Sequence, residues 1–200
     1  MTLGCLRGAT VFAVGWLVVA PGCERQLTTT SVVERYRSGD EEVEFFEELK
    51  DSMVVSNEDA LHALYLLADG EDYWDTYADR VAEAQRRRWI PTSFSEPSTE
   101  SAEVGWIATA SCRIAGLDGG VSMRIWGPIP RYAVRELRNS HILIGKQESM
   151  SFTGAEFVDF LTRLSRIARL SNASALKTAA ASDRQATPAK RPLQPTGRFE

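Results

Sequence analysis

The chain has 200 residues, of which 44% are hydrophobic and 25% are charged, and its formal net charge is −4. This composition predicts one globular domain flanked by two tails. The tail from Ser171 is basic, so the body of the chain is acidic, which excludes the broad positive face that nucleic acid requires. The run Arg86–Arg88 would point in three directions on a helix and indicates a solvated helix end.

Residues 1–22 are predicted to be a signal peptide. A single arginine, Arg7, precedes an apolar run from Gly8 to Ala20. This run is shorter than the roughly 20 residues that a membrane-spanning helix needs, so it is typical of the apolar core of a secretory signal. Gly22, a second small residue, stands directly before Cys23 and favours cleavage there. We therefore expect the protein to be exported.

The end of this signal, "APGC", resembles the lipobox of bacterial lipoproteins, in which a small residue precedes an acylated cysteine. The resemblance implies that Cys23 is a lipid attachment site and that its acyl chains hold the protein on a membrane of the cell envelope, facing the periplasm or the outside. The chain departs from the family at Ala20, where leucine is usual, and at Pro21. A secreted soluble protein and an uncleaved signal anchor stay open as alternatives. Residues 23–39 are predicted to be a polar tether.

Helical periodicity dominates residues 40–170, so the predicted fold is mainly all-α, with helix-loop-helix repeats in a small bundle. In the first helix the predicted apolar stripe consists of Val43, Phe46, Leu49 and Met53, with glutamates on the opposite, solvated face. The next helix is predicted to follow an N-cap at Ser56, to end at Gly70 and to lie in the core.

Further helices are predicted at about 75–88, 100–115, 131–139 and 154–170. Residues 121–126 alternate in polarity and are predicted to form a short extended segment. Residues 171–200 contain three prolines and almost no large apolar residues, so they are predicted to be a disordered tail.

The body contains a weak internal repeat. Residues 102–114 align without gaps to residues 155–167, with five identities in thirteen positions, and each segment follows a helix and a loop. A third copy is obtained when Asp59 is set against Glu103 and Glu156. In each copy a hydroxyl and an acidic side chain are placed to bond the free first-turn amides. A chance alignment of amphipathic helices is the alternative.

At this repeat the chain resembles the surface-layer homology family, whose modules begin at a Thr-Arg-Ala-Glu box. The box positions read "FTGAE" at 152–156, "TESAE" at 99–103 and "SNED" at 56–59, and the exits of the units read "WIP" at 89–91 and "HIL" at 141–143. The resemblance covers roughly residues 55–168 and implies three repeats around a pseudo-threefold centre. The family contacts anionic cell-wall polymer through the box arginine, which is replaced here by Gly154, by Ser101, and by Asn57 or Glu58. The fold is therefore expected to carry over without the same ligand contacts.

The sequence predicts no metal, no cofactor and no catalytic constellation. His62 and His141 are the only histidines, Cys112 is the only cysteine in the body, and no nucleotide-binding or hydrolase motif occurs. His62 is interpreted as a hydrogen-bonded interior residue, and Cys112 as a small core residue.

Four residues are candidates for ligand contact, namely Glu71, Asp72, Trp74 and Trp106. Carboxylates among aromatic rings can bind a sugar, but aromatic rings in a loop can equally fasten two helices together. The predicted function is non-catalytic binding of an envelope polymer or a protein partner. A small cell-wall hydrolase that uses Glu71 or Asp72 is one alternative, and a structural tether without a specific ligand is another.

Overall fold

The computed structural model describes residues 27, 28, 30–36, 41–117, 123 and 127–186, with side chains as far as Leu170. The predicted signal peptide and Cys23 lie outside the described residues, as do residues 23–26, 29 and 37–39 of the predicted tether. Residues 31–33 are buried, so this part of the predicted tether belongs to the domain. The predicted extended segment at 121–126 also lies outside them, apart from Met123, which is buried.

The described residues form six helices and no strand, which confirms the predicted mainly all-α fold. The helices are α1 (Glu42–Asp51), α2 (Asn57–Asp69), α3 (Tyr77–Arg86), α4 (Val104–Ile114), α5 (Pro130–Asn139) and α6 (Gly154–Ala186). One continuous apolar core runs between them, and the predicted core residue Cys112 is part of it. Burial raises the pKa of the Cys112 thiol to about 12, so the thiol stays protonated.

Local capping explains where α2 and α6 begin and end. The hydroxyl of Ser56 accepts a hydrogen bond from the amide of Asp59 at 3.1 Å, and Gly70 ends α2 in the left-handed conformation at φ 79°. At the start of α6 the amide of Thr153 donates to the Glu156 carboxylate at 2.9 Å, and the amide of Glu156 donates back to the Thr153 hydroxyl at 3.4 Å. These caps confirm the predicted starts of α2 and α6.

The predicted apolar stripe of α1 is confirmed at Leu49, which is buried, and Phe46 packs against the core, but the prediction is wrong at Val43 and Met53. Val43 is 67% exposed and Met53 is 88% exposed, whereas Phe45 and Leu49 are fully buried. The helix ends at Asp51, so Met53 lies beyond it. Phe45 and Leu49 stand four residues apart, one turn along the helix, and this pair fixes the inward face.

The last helix is longer than predicted. It continues to Ala186, past the expected boundary at Leu170, so the predicted tail of residues 171–200 begins as helical backbone. The extension is rich in alanine and in other strong helix formers, and the first proline of the tail is Pro188. The disorder predicted for the residues after Ala186 stays a prediction.

The segments that precede α2, α4 and α6 meet at one buried centre. The amide of Val55 donates to the carbonyl of Phe152 at 3.0 Å, and the amide of Ala102 donates to the carbonyl of Val55 at 2.9 Å. Each of these three residues stands two positions before a helix, and all three are buried. The predicted start of the fourth helix at about residue 100 is therefore too early, because the backbone there is extended and pairs with its neighbours.

The first amide of each of these helices is satisfied by the next segment in a cyclic order. The bonds run from Asn57 to the Glu100 carbonyl (2.8 Å), from Val104 to the Met150 carbonyl (2.8 Å) and from Gly154 to the Ser52 carbonyl (3.0 Å). A helix start leaves its first amides without helical partners, so these bonds replace part of the capping that side chains usually supply.

Each helix that begins at the centre packs against a shorter helix. The pairs are α2 with α3, α4 with α5, and α6 with α1. The arrangement recurs three times, but the gapless alignment of residues 102–114 with 155–167 is three residues out of register, because Ala102 corresponds in position to Phe152 and not to Ala155.

Candidate functional site

The predicted ligand contact Asp72 lies in a buried ion cluster, which consists of Asp72, His62, Arg80 and Glu58. The side chain of Asp72 is 2% exposed. One of its oxygens is 2.6 Å from Nδ1 of His62 and accepts a bond from Nε of Arg80 at 2.6 Å, while the other accepts from the Trp74 amide at 3.1 Å. This confirms His62 as a hydrogen-bonded interior residue.

The ion cluster joins α2 to α3. Nη1 of Arg80 donates to Glu58 at 3.1 Å, and both side chains are buried. Burial alone would raise the pKa of the Asp72 carboxyl, but the hydrogen bonds from His62 and Arg80 outweigh it and hold that pKa below its usual value. A buried carboxylate that is already paired in this way serves the fold and is closed to a ligand.

Of the other predicted contacts, Glu71 and Trp74 share a loop, and Trp106 lies on another element, α4. Glu71 is exposed in the loop after α2. Trp74 in the same loop is half-buried, and its ring centroid lies 6.5 Å from that of Tyr65, which favours the interpretation that this loop fastens two helices. Trp106 is buried in α4, edge-on to Phe94 with 5.8 Å between the centroids.

The candidate binding site is a groove on α5 that carries three arginines. Arg131, Arg135 and Arg138 are exposed and follow one another at four- and three-residue spacing, so they share one helix face. The groove has a volume of about 510 Å³, and its remaining walls are Val134, Asn139, Gln147 and Glu148. We name it the arginine groove.

Packing against α4 turns this face of α5 outward. Pro130 occupies the first turn of α5, and Ala133 and Leu137 are buried on the opposite side. The loop that carries Glu148 lies close to α4 at Gly105, whose amide donates to the Glu148 carbonyl at 2.8 Å. A Cβ atom at Gly105 would lie 3.1 Å from that carbonyl oxygen, which leaves the backbone little room.

The loop that forms the other wall of the groove is held by a lysine. Nζ of Lys146 lies 2.7 Å from the Glu156 carboxylate and donates to the Ser151 carbonyl at 2.9 Å. This cation is therefore committed to the fold, in contrast to the arginines across the groove.

The three arginines of the groove share it with one carboxylate, that of Glu148. In the part of the chain that the structure describes, no carboxylate forms an ion pair with any of them, whereas Arg86 and Arg87 pair with Glu83, and Arg87 also pairs with Asp69. Arg131 and Arg138 are about 10 Å apart along the helix axis, at 1.5 Å per residue. Guanidinium groups bind carboxylates and phosphates through two parallel hydrogen bonds, so the groove suits a ligand with several negative charges.

This groove was not predicted from the sequence, because its arginines are not consecutive. The consecutive run Arg86–Arg88 was predicted to be a solvated helix end, but Arg87 covers Tyr65 and Trp89, with its guanidinium 5.3 and 5.1 Å from their ring centroids. The helical spacing of the arginines in "RYAVRELR" was the signal that could have located the groove.

The described ranges hold no group of three or more histidine, cysteine or acidic side chains placed to bind a metal ion. None of the helices in these ranges has the length and apolar character needed to cross a membrane. No family model matches the chain, and no curated protein and no solved structure matches it either.

Proposed function

We propose that this domain is a non-catalytic binding module that holds an anionic polymer of the cell envelope in the arginine groove. The observation that carries the proposal is the set of three unpaired guanidinium groups on one face of α5, in a chain of net negative charge. The acidic body of the domain repels a large polyanion. The row of arginines on α5 therefore favours a narrow ligand that carries its negative charges at intervals along the strand.

The envelope enters the proposal through the N-terminal sequence. Export and acylation at Cys23, which we propose from the "APGC" resemblance, would hold the domain beside envelope polymers and membrane. Anchoring would also keep the local polymer concentration high, so even weak contacts in the groove would be effective.

The resemblance to surface-layer homology modules suggests the same class of ligand, an anionic polymer. In this chain the arginines that contact it would lie on α5 and not in the box. The box positions lack arginine, and the first amides of α2, α4 and α6 are bonded to neighbouring carbonyls. The arginines of α5 would take over the role of the missing box arginines.

The test is a binding titration of the mature chain with poly(glycerol phosphate) and with polygalacturonate, using neutral dextran as the blank. We expect binding to both polyanions that weakens as salt is raised. The triple variant R131Q/R135Q/R138Q should bind about tenfold more weakly, since exposed charge pairs contribute about 0.5 kcal/mol each and 1.4 kcal/mol is tenfold.

The matched control is R163Q/R166Q/R169Q, which removes three arginines from α6 and changes the net charge equally. Its affinity should stay close to that of the unmodified chain. Equal losses in both triple variants would show that net charge alone governs binding and would exclude the groove. If neither polyanion binds but a protein from the same envelope does, the polymer proposal fails.

A further inference from the structure

A second cavity lies between the exit of α3 and the middle of α4, and the arginine groove does not include it. Its volume is about 320 Å³. We name it the tryptophan cavity, and its walls include Trp89, Ile90, Trp106, Ile129, Arg88 and Arg113. This volume is at the lower end of the roughly 300–1,000 Å³ that small-molecule sites occupy, which limits a ligand to about one ring with a short side chain.

The lining of the cavity is mostly apolar. Trp89, Ile90 and Trp106 belong to the core, and Pro128 and Pro130 add flat, rigid surfaces beside α5. The polar groups on these walls are already committed: the Thr109 hydroxyl donates to the Gly105 carbonyl at 3.1 Å, and the Gln85 amide donates to the carbonyls of the loop after Pro91. An apolar body of a ligand would therefore meet an apolar surface.

Two guanidinium groups line this cavity, those of Arg88 and Arg113. Arg88 and Arg113 are both exposed, and among the described residues no carboxylate forms an ion pair with either of them. Burial lowers the pKa of Arg113, and the nearby charge of Arg88 lowers it further. Two like charges at one cavity repel each other, and an anion placed with them would relieve that repulsion.

The backbone holds Arg88 in this place. Arg88 has φ 59°, in the left-handed region that side chains rarely adopt, and the Trp89 amide closes the end of α3 by donating to the Ala84 carbonyl at 2.8 Å. Glycine is the usual residue at such a helix end. His141 ends α5 in the same conformation, at φ 56°, and at the end of α3 the residue in this position is a cation at the rim of the cavity.

Trp106, which lines the cavity, has an unsatisfied polar group. Nε1 of Trp106 is buried and has no hydrogen-bond partner among the described atoms, although buried indole N–H groups normally have one. A small shift of the Trp106 ring toward a bound acceptor would supply that partner.

We propose that the tryptophan cavity binds a small amphipathic anion, a flat apolar body that carries one carboxylate or phosphate group, with the anion between Arg88 and Arg113 and the body against the two indole rings. The site is independent of the arginine groove. It would let the domain recognise a small molecule, or one end group of a larger one, by a different chemistry from the charge row on α5.

The test uses the mature chain labelled with ¹⁵N and follows its indole N–H signals during titration with 3-phenylpropionate, phenyl phosphate and neutral 3-phenylpropanol. The variant W106F identifies the Trp106 signal. We expect saturable shifts of the Trp106 and Trp89 signals with at least one of the two anions, at a Kd of about 1 mM or below, and no saturation with the alcohol. Comparison of the two acids shows whether carboxylate or phosphate is preferred.

The variant R88Q/R113Q should lose at least tenfold in affinity for the preferred anion, whereas R163Q, which removes an arginine from α6, should not. Both substituted residues are exposed, so we expect the variant to fold. A thermal melt checks this. Equal affinity for the alcohol, no saturable shift, or an unchanged affinity in R88Q/R113Q would each overturn the proposal. Polymer binding should persist in R88Q/R113Q, so failure at the cavity and failure at the groove can be told apart.

Discussion

Two buried carboxylates, Asp59 and Asp72, show how differently single residues are used in this domain. Asp59 accepts bonds from the hydroxyls of Ser31 and Ser56 at 2.6 and 2.7 Å and from the Val33 amide at 3.0 Å, so neutral donors tie the N-terminal segment to α2. Asp72 is instead held by an imidazole and a guanidinium in the ion cluster. The cap at Ser56 could be predicted from residues close in sequence, whereas the ion cluster joins residues that only the fold brings together.

At the residue scale we expect Asp72→Asn to destabilise the domain strongly. The substitution leaves the buried Arg80 without one of its two carboxylate partners, and breaking one member of a buried ion pair typically costs about 3–5 kcal/mol. Chemical denaturation at pH 7 measures this loss. Glu71→Gln, at the exposed neighbouring position, should change the free energy of unfolding by less than about 0.5 kcal/mol. A mild effect at Asp72 would show that the cluster does not support the fold.

The lowered pKa of Asp72 also predicts a dependence on pH. A carboxyl whose pKa is lower in the folded state contributes stability above its unfolded value of 3.8, and that stability is lost as pH falls through the folded pKa. Denaturation curves of the unmodified chain between pH 5 and pH 2 should therefore show a steep loss of stability, and Asp72→Asn should show a smaller one. Parallel curves for the two proteins would contradict this assignment.

At the scale of elements, sequence predicted what is encoded locally and failed where distant contacts decide. The starts of α2 and α6 were predicted because a hydroxyl and an acid three residues on cap these two helices. The same cap predicted for α4 is wrong, because Glu103 is itself the N-cap residue and no side-chain bond caps this helix. The inward face of α1 was partly misassigned because its alternation of acidic and apolar residues allows two neighbouring stripes, and only the packing against α6 selects Phe45 and Leu49. The arginine groove was missed for a related reason, since a loop from beyond α5 supplies one of its walls.

The contact between α1 and α6 depends on a glycine. A Cβ atom at Gly154 would lie 1.6 Å from the Leu49 carbonyl oxygen and 2.6 Å from the Ser52 hydroxyl, so α1 would have to move. We expect Gly154→Ala to lower the free energy of unfolding by about 3 kcal/mol, at the upper end for overpacking. In Gly105→Ala the contact of 3.1 Å is partly offset by better helix propensity, so its effect should stay within about 1 kcal/mol. Thermal melts of the two variants measure the difference, and equal stabilities would contradict the close approach of α1 and α6.

At the scale of the whole molecule, the cyclic bonds at the centre bind the three helix pairs into one unit. Val55 receives a bond from Ala102 and donates one to Phe152, so the centre is complete only when segments from the beginning, middle and end of the body are present. Main-chain bonds of this kind leave no mark in the residue types, which is why the sequence predicted a threefold repetition only through a resemblance and with an alignment three residues out of register.

This closure predicts that the domain unfolds as one unit. Thermal melts followed by far-ultraviolet circular dichroism and by tryptophan fluorescence should coincide, and the amides of Val55, Asn57, Ala102 and Val104 should exchange with deuterium only through global unfolding. A chain that ends at residue 147 lacks Phe152 and α6 and should be unfolded, because α1 loses its packing partner and the Val55 amide loses its acceptor. A chain that ends at residue 186 keeps the centre and should melt like the full chain. Two separate transitions, or a folded fragment of residues 27–147, would show that the helix pairs are stable on their own and that the central bonds only join them.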